Sequence, residues 1–303
     1  MYRIKTPLLI ALLALTLAGC KQSSSDFDTL SDSEKLEVLD LRLERHPKDA
    51  EALAERSMVL FNLGRSKEAL ADINKAVTLE PGNADYRMQQ ADLYFADGDV
   101  ENSYKALSEA EKLDPKSNEV QLKMGEVTFY SRDYDRSLRC LTNVTERDPD
   151  NRTALFMKSF IYVEKGDTAS AVTLLRRVCD LYPDYAGAFE ELGILYYSRH
   201  DPLAVEYLNT ALRLEPNNTN VLYALAMYSQ EEGNMEQAES LYRQLLTLNP
   251  ASADAWHNLG YIELTHYNDY PRAAACFDSA LLADPTHAAA RANRQLAEEA
   301  MTK

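Results

Sequence analysis

Eight prolines recur along this chain at nearly constant spacing, and that spacing constrains the fold more than any other feature. They stand at positions 47, 81, 115, 149, 183, 216, 250 and 285, so that successive steps are 34, 34, 34, 34, 33, 34 and 35 residues. Proline cannot continue a helix, and it disfavours helical geometry in the residue before it. The spacing therefore predicts a repeat protein in which each proline follows the end of a helix.

Three further positions keep one size of side chain when each unit is counted so that its proline falls at position 32. Position 8 is small throughout, at Ser57, Ala91, Gly125, Ser159, Gly193, Ala226 and Gly260. Position 20 is also small, at Ala69, Ser103, Ser137, Ala171, Ala204, Ala238 and Ala273. Position 24 is large and apolar, at Ile73, Leu107, Leu141, Leu175, Leu208, Tyr242 and Phe277. Small residues predict close approach of the two helices in a unit, and the large residues are expected to fill the space between units.

This pattern resembles the tetratricopeptide repeat family, whose unit is a helix–turn–helix of about 34 residues. The resemblance implies an all-α, right-handed superhelical solenoid. We expect seven units over residues 50–287, preceded by a half-repeat helix over 31–47 and followed by a capping helix over 288–303. One unit is a residue short and one a residue long. We expect both changes in the turn between the helices, near residues 199–202 and 266–271, with Pro271 near the start of a second helix.

The N-terminus has the features of an export signal. Arg3 and Lys5 precede an apolar run that is too short for a mature transmembrane helix. Residues 17–20 read Leu-Ala-Gly-Cys and resemble the cleavage and lipidation motif of bacterial lipoproteins. The resemblance implies a signal peptide over 1–19, lipidation of Cys20, a polar tether over 20–30 and membrane attachment through the lipid. Lys21, where an Asp would favour inner-membrane retention in Gram-negative lipoproteins, implies the outer membrane.

In tetratricopeptide proteins the first helix of each unit lines the concave side, through positions 2, 5, 9 and 12. Many of these positions are apolar here, and twelve are candidate partner-binding residues: Met58, Phe61, Met88, Phe95, Leu122, Phe129, Phe156, Phe160, Tyr197, Tyr223, Met227 and Tyr261. Methionines and aromatic rings at such positions suit a groove for an apolar peptide or helix. The same residues could instead shield the junctions between units. Acidic residues where co-chaperones of this family carry cations, such as Glu51 and Asp85, argue against a carboxylate-binding groove.

Charge and motif content exclude several functions. The net charge is −16, and loss of Arg3 and Lys5 with the signal gives (32 − 2) − 48 = −18. Such a field repels nucleic acid. Three cysteines remain besides Cys20, without the spacing of a metal site, and are expected to be small buried residues. No phosphate-binding, dinucleotide, zinc-protease or nucleophile-elbow motif occurs, so neither an enzyme nor a cofactor is expected. His257 and Tyr261, on one face, are expected to make polar contacts rather than bind a metal.

Two functions remain open from the sequence. The first is a lipid-anchored scaffold or adaptor of the bacterial cell envelope that binds a protein or peptide partner of unknown identity. The second is a carbohydrate- or peptidoglycan-binding module that stacks sugars on its concave aromatic residues. The methionine content of the concave stripe favours the first.

Overall fold

The computed structural model describes residues 27–302, and the secondary structure in this part of the chain is helical, without strands. Sixteen α-helices follow one another in this range. They are α1 (Asp32–Arg45), α2 (Ala50–Asn62), α3 (Ser66–Leu79), α4 (Ala84–Ala96), α5 (Val100–Leu113), α6 (Asn118–Tyr130), α7 (Tyr134–Arg147), α8 (Arg152–Glu164), α9 (Thr168–Leu181), α10 (Ala186–Tyr197), α11 (Leu203–Leu214), α12 (Thr219–Glu231), α13 (Met235–Leu248), α14 (Ala253–Ile262), α15 (Tyr270–Ala283) and α16 (Ala288–Met301). A short π-helix, Glu263–Tyr267, continues α14. This is the predicted all-α solenoid of helix–turn–helix units.

The proline spacing marks the helix ends as predicted. The second helix of each pair, and α1 before them, ends two residues before one of the eight prolines. Many of the helices start at a capping Ser, Asp or Asn; the side chain of Asp49, for example, accepts a hydrogen bond from the backbone N–H of Ala52 at 3.0 Å. Such caps satisfy N–H groups that have no partner within the helix.

The turn inside each pair contains one residue with left-handed backbone geometry. Four of these residues are glycines and three are not: Gly64, Gly98, Arg132, Gly166, His200, Gly233 and Asn268. Glycine adopts a positive φ at little cost, whereas side chains such as those of Arg132 and His200 make it unfavourable. The two helices of a pair are therefore joined by one repeated turn, and the repeat tolerates some strain there.

The small and large positions of the repeat pack as predicted and meet in the core. Every residue at positions 20 and 24 is at most 1% exposed. A Cβ atom added to Gly193, at position 8, would lie 2.7 Å from Cγ of Leu208, at position 24 of the same unit. Position 24 therefore packs directly on position 8 of its own unit, besides filling space toward the neighbouring one.

The chain divides into two compact units, one ending at Met157 and the other beginning at Lys158. The first contains α1 to α7, and the second contains α9 to α16; the division falls within α8. Each unit has its own buried clusters, such as the one around Leu53 and Ile73 in the first and the one around Leu259 and Tyr242 in the second.

Two details differ from the sequence expectation. The extra residue of the last pair is not absorbed in a loose turn, because the chain continues α14 as the π-helix and turns at Asn268. The wider helical turn takes up one residue while keeping backbone hydrogen bonds, as Asp269 N–H donates to the Glu263 carbonyl at 2.9 Å. Phe27, assigned to the polar tether, packs against the first-unit core beside Leu36, with Lys35 Nζ 5.8 Å from its ring centre.

Candidate functional site

The candidate site is the face of the first helices formed by positions 2, 5, 6, 9, 12 and 13, here called the first-helix face. Positions 5 and 12 lie beside position 8, which contacts the second helix, and positions 2, 6, 9 and 13 lie further round the helix toward its other side. Of the twelve predicted residues, Met58 and Tyr261 are exposed and Met88 is buried. The others are half-buried: Phe61, Phe95, Leu122, Phe129, Phe156, Phe160, Tyr197, Tyr223 and Met227. The structure thus places apolar groups at the surface in both units.

In the first unit, this face carries a cluster of aromatic rings from α4, α6 and α7. The Tyr130 ring lies 5.3 Å from Phe95 and 5.8 Å from Phe129, between ring centres. Phe129 is also 5.8 Å from Tyr134. Tyr130 is 64% exposed and occupies position 13, which the sequence analysis left out of the concave stripe. The sequence does contain a signal for Tyr130, because this aromatic residue directly follows the predicted lining residue Phe129.

In the second unit, two predicted residues are held by a polar contact from the next helix pair. The Asn258 side-chain amide lies 3.1 Å from the Tyr223 hydroxyl oxygen and 3.2 Å from Sδ of Met227. The same amide lies 3.2 Å from the hydroxyl oxygen of Tyr242, which is fully buried. Asn258 therefore fixes the positions of Tyr223 and Met227, so these two residues serve packing as well as any binding.

Tyr197 links neighbouring first helices in the second unit. Its hydroxyl donates a hydrogen bond of 2.7 Å to Oε1 of Glu231 on α12. Burial, and then this hydrogen bond to a carboxylate, raise the pKa of Tyr197. Its ring centre also lies 6.3 Å from that of Tyr228, with the two ring planes at 65°. The hydrogen bond to Glu231 and the contact with Tyr228 fix the orientation of the Tyr197 ring, and the part of the ring that stays accessible lies on the first-helix face.

Glu191, at position 6 of α10, is the least compensated charge on this face. It is half-buried, and within the described residues it has neither a hydrogen-bond nor an ion-pair partner. Burial, with a smaller effect from Glu190, raises the pKa of Glu191 to about 7. Desolvation disfavours the charged form of a carboxyl group, and no cation is placed to oppose it. In the sequence, Glu190 and Glu191 are adjacent carboxyl groups that a local pattern would place in solvent, so the burial of Glu191 has no signal there.

Several acidic residues of the first-unit face are paired with cations. Arg42 on α1 contacts Asp49, Glu51 and Glu55 through N–O distances of 2.8, 2.6 and 3.3 Å. Lys123 on α6 pairs with Asp92 on α4 at 2.7 Å. The two units therefore offer first-helix faces of similar apolar character, and both are acidic, but only in the first unit do Arg and Lys side chains pair with some of the carboxylates.

His257 is turned toward the C-terminal helix, so it is a contact residue rather than an open groove residue. Its Nε2 lies 3.0 Å from Nδ2 of Asn293 on α16, and its ring centre is 4.9 Å from that of His287. Burial lowers the pKa of His257 and favours the neutral ring. Nε2 of a neutral ring protonated at Nδ1 accepts the amide hydrogen of Asn293.

The remaining chemistry-bearing groups are embedded in the helices. Cys140, Cys179 and Cys276 are buried, as predicted, and burial raises their pKa values to about 11, 12 and 11. Between residues 27 and 302, no three His, Cys, Asp or Glu side chains are placed to hold a metal ion together. Over the same range, no helix combines the length and apolar character needed to cross a membrane.

Helix pairs of constant length, with small residues at their contacts, define the class of helical repeat proteins. The tetratricopeptide repeat family model matches residues 42–84, 55–118, 122–186 and 223–288. The chain therefore belongs to the tetratricopeptide repeat family. Proteins of this family bind protein or peptide partners, and the fold is generally a non-catalytic scaffold for such interactions.

Relatives and solved structures agree with this assignment. The chain is 29% identical over 119 residues to the type IV pilus assembly protein PilF of Pseudomonas aeruginosa, a match covering 37% of this chain and 46% of that protein. The match thus spans less than half of the length of that relative. A solved structure of PilF from Pseudomonas aeruginosa superposes with a TM-score of 0.59 at 16% identity, covering 68% of this chain and 94% of that one.

Two other structures show the same fold at low identity. A tetratricopeptide repeat protein of Parabacteroides merdae has a TM-score of 0.59 at 16% identity and covers 82% of this chain and 98% of its own. A chain of the APC/C hetero-tetramer Cut9-Hcn1 has a TM-score of 0.60 at 15% identity, covering 98% of this chain and 60% of its own. At these identities the likeness extends to the fold alone.

Proposed function

We propose that this protein is a lipid-anchored adaptor of the bacterial cell envelope that binds a partner protein through its first-helix face. The observation that carries the proposal is that apolar side chains remain exposed on this face, among them Met58 in the first unit and Tyr261 in the second. Exposed apolar groups surrounded by half-buried ones are typical of interaction surfaces. The aromatic cluster around Tyr130 extends this surface in the first unit.

The attachment to the membrane rests on the sequence. The signal peptide and Cys20 lie outside the described residues, and the similarity to a type IV pilus assembly protein supports an envelope location and a role in assembly. We further propose the outer membrane, because Lys21 follows the lipidated cysteine. A Cys20→Ser variant should be recovered in the soluble fraction and should not incorporate radiolabelled palmitate. Wild-type behaviour of this variant would refute lipidation.

Partner binding is tested by crosslinking in intact envelopes with Met58→Glu and Tyr261→Glu. Both side chains are exposed, so a charge placed there should leave the fold intact while disrupting an apolar contact. Leu282→Glu is the matched control, because Leu282 is 86% exposed on α15, a second helix. We expect the crosslinked protein partner to be lost in either first-helix variant and retained in the control. Loss only in Leu282→Glu would place binding on the second helices instead.

The carbohydrate alternative is favoured only by the exposed ring of Tyr130 with its aromatic neighbours, since sugars stack on such rings. It predicts that purified peptidoglycan sediments the protein and that Tyr130→Ala abolishes this. Sedimentation without any protein crosslink would favour this function over the adaptor.

A further inference from the structure

The first-helix face of the second unit combines apolar side chains with uncompensated negative charge. Across α10, α12, and α14 with its π-helical end, this face has eighteen positions. Four of them are acidic, and none is Lys or Arg: the acidic residues are Glu190, Glu191, Glu231 and Asp254. Apolar or aromatic neighbours at the same positions include Ile194, Tyr197, Met227 and Tyr261.

None of the four carboxylates meets a Lys or Arg in the described part of the chain. Glu190 accepts a hydrogen bond of 2.8 Å from the side-chain amide of Asn218. Glu231 accepts one from Tyr197, and Asp254 lies 3.2 Å from Nε2 of His287. Between residues 27 and 302, Glu191 has neither a hydrogen-bond nor an ion-pair partner. These contacts leave the net charge of the face negative, whereas Arg42 and Lys123 offset part of the charge in the first unit.

We infer that the first-helix face of the second unit docks a basic amphipathic segment of a partner protein, with a Lys or Arg of that segment paired to Glu191. The inference rests on the proposed function and specifies the partner's chemistry. Charge complementarity is its basis, because a half-buried carboxylate without a counter-ion is stabilised by a cation that arrives with the partner. The apolar side of the segment would cover Tyr261 and Met227.

Alternative occupants fit this face less well. A second copy of this chain would bring a strongly acidic surface, since the whole chain carries −16. Nucleic acid and anionic lipid headgroups would be repelled by the same carboxylates. An acidic or neutral apolar peptide would bury Glu191 further without pairing it, which is costly. A basic segment is the occupant that both covers the apolar groups and neutralises the charge.

The test uses the full chain purified in detergent and two synthetic peptides of eighteen residues. One places Leu at i, i+3, i+4 and i+7 spacing and Lys at the other positions, so that a helix has one apolar and one basic side; in the other, Glu replaces every Lys. Binding is measured by fluorescence anisotropy at low and moderate ionic strength. We expect the Leu/Lys peptide to bind at least about tenfold more tightly than the Leu/Glu peptide, with the difference falling as salt rises.

Charge-neutral variants then locate the contact. Glu191→Gln should weaken binding of the Leu/Lys peptide about fivefold, as expected for loss of one partly exposed ion pair. Glu206→Gln removes the same charge from an exposed position on α11 and should leave binding unchanged. Equal binding of both peptides, or an equal effect of the two variants, would overturn the inference.

The outcome also separates this inference from the proposed function. If neither peptide binds while Tyr261→Glu still abolishes the envelope crosslink, the face binds a partner of other chemistry, and only the inference fails. If Glu191-dependent peptide binding is found while both first-helix variants keep the envelope crosslink, the basic-segment site stands, and the proposed route of partner binding fails.

Discussion

Adding one methyl group at Gly193 should measurably destabilise the second unit. A Cβ atom there would lie 2.7 Å from Cγ of Leu208, 2.8 Å from its Cδ2 and 3.1 Å from its backbone nitrogen. Carbon atoms in protein cores pack at about 3.5–4.0 Å, so the gap falls short by about 0.8 Å. A change of rotamer could move Cγ but not the backbone nitrogen of Leu208, so helix α11 must shift away from α10.

The net effect follows from two opposing contributions. Overpacking of a core costs about 1–3 kcal/mol, and contact with the backbone favours the upper half of that range. Replacing glycine by alanine within a helix returns about 1 kcal/mol. We therefore expect Gly193→Ala to lower the free energy of unfolding by about 1–2 kcal/mol. Urea unfolding followed by far-ultraviolet circular dichroism measures this as a lower midpoint.

Two other glycines provide the controls. At Gly125 the added Cβ would lie 2.9 and 3.0 Å from Cδ2 and Cγ of Leu141 and 3.8 Å from Cβ of Cys140, with no backbone atom among these contacts, so a shift of the Leu141 side chain relieves the clash and the net change should be near zero. Gly82 has no atom within 4 Å and ordinary backbone geometry, and its alanine variant should be at least as stable as wild type. Equal losses at Gly193 and Gly125 would refute the argument that the type of contact decides the cost.

Four further outcomes are expected. In urea melts, Glu191→Gln should be more stable than wild type by about 1 kcal/mol at pH 8 and equally stable near pH 4.5. The reason is that the pKa of Glu191 is about 7 in the folded protein and 4.5 in the unfolded chain, so the free energy of unfolding of the wild type falls as the pH rises from 4.5 to 7. Arg132→Gly should raise the free energy of unfolding by about 0.5–1 kcal/mol in the same assay, because glycine removes the cost of a positive φ. Asn258→Ala should cost about 1 kcal/mol in thermal melts, as two tyrosine hydroxyls lose a donor. Cys140, Cys179 and Cys276 should react with a disulfide reagent at pH 8 only after unfolding, since burial keeps their thiols protonated and covered.

The repeat was predictable because its signals are local and recur at fixed phase. Proline fixes where each second helix ends, and size alone decides which side chains fit at positions 8, 20 and 24. The same recurrence could have revealed the turn, since glycine stands at one turn position in four pairs. Arg132 and His200 obscure this pattern in the sequence. Their side chains disfavour a positive φ, but the packing of the two helices imposes the same turn geometry.

The candidate site was predictable only in part, because its chemistry depends on neighbours distant in sequence. Tyr223 and Met227 were identified as lining residues, but their link to Asn258 on the next pair spans more than thirty residues. Glu191 looks like a solvated charge when read beside Glu190. Glu191 is half-buried and without a partner because of how α10 packs on its neighbours, and the residues adjacent to it in sequence do not indicate this.

That lack of a partner helps to decide between packing and binding as the role of the first-helix face. Tyr223 and Met227 stabilise the fold through Asn258, so their apolar character needs no ligand to explain it. Glu191 is different, because an uncompensated half-buried carboxylate lowers the stability of the unit that carries it. Residues that oppose folding without an internal partner are where function is to be sought. If Glu191→Gln is both more stable than wild type and weaker in binding a basic peptide, then the same side chain destabilises the fold and binds the ligand.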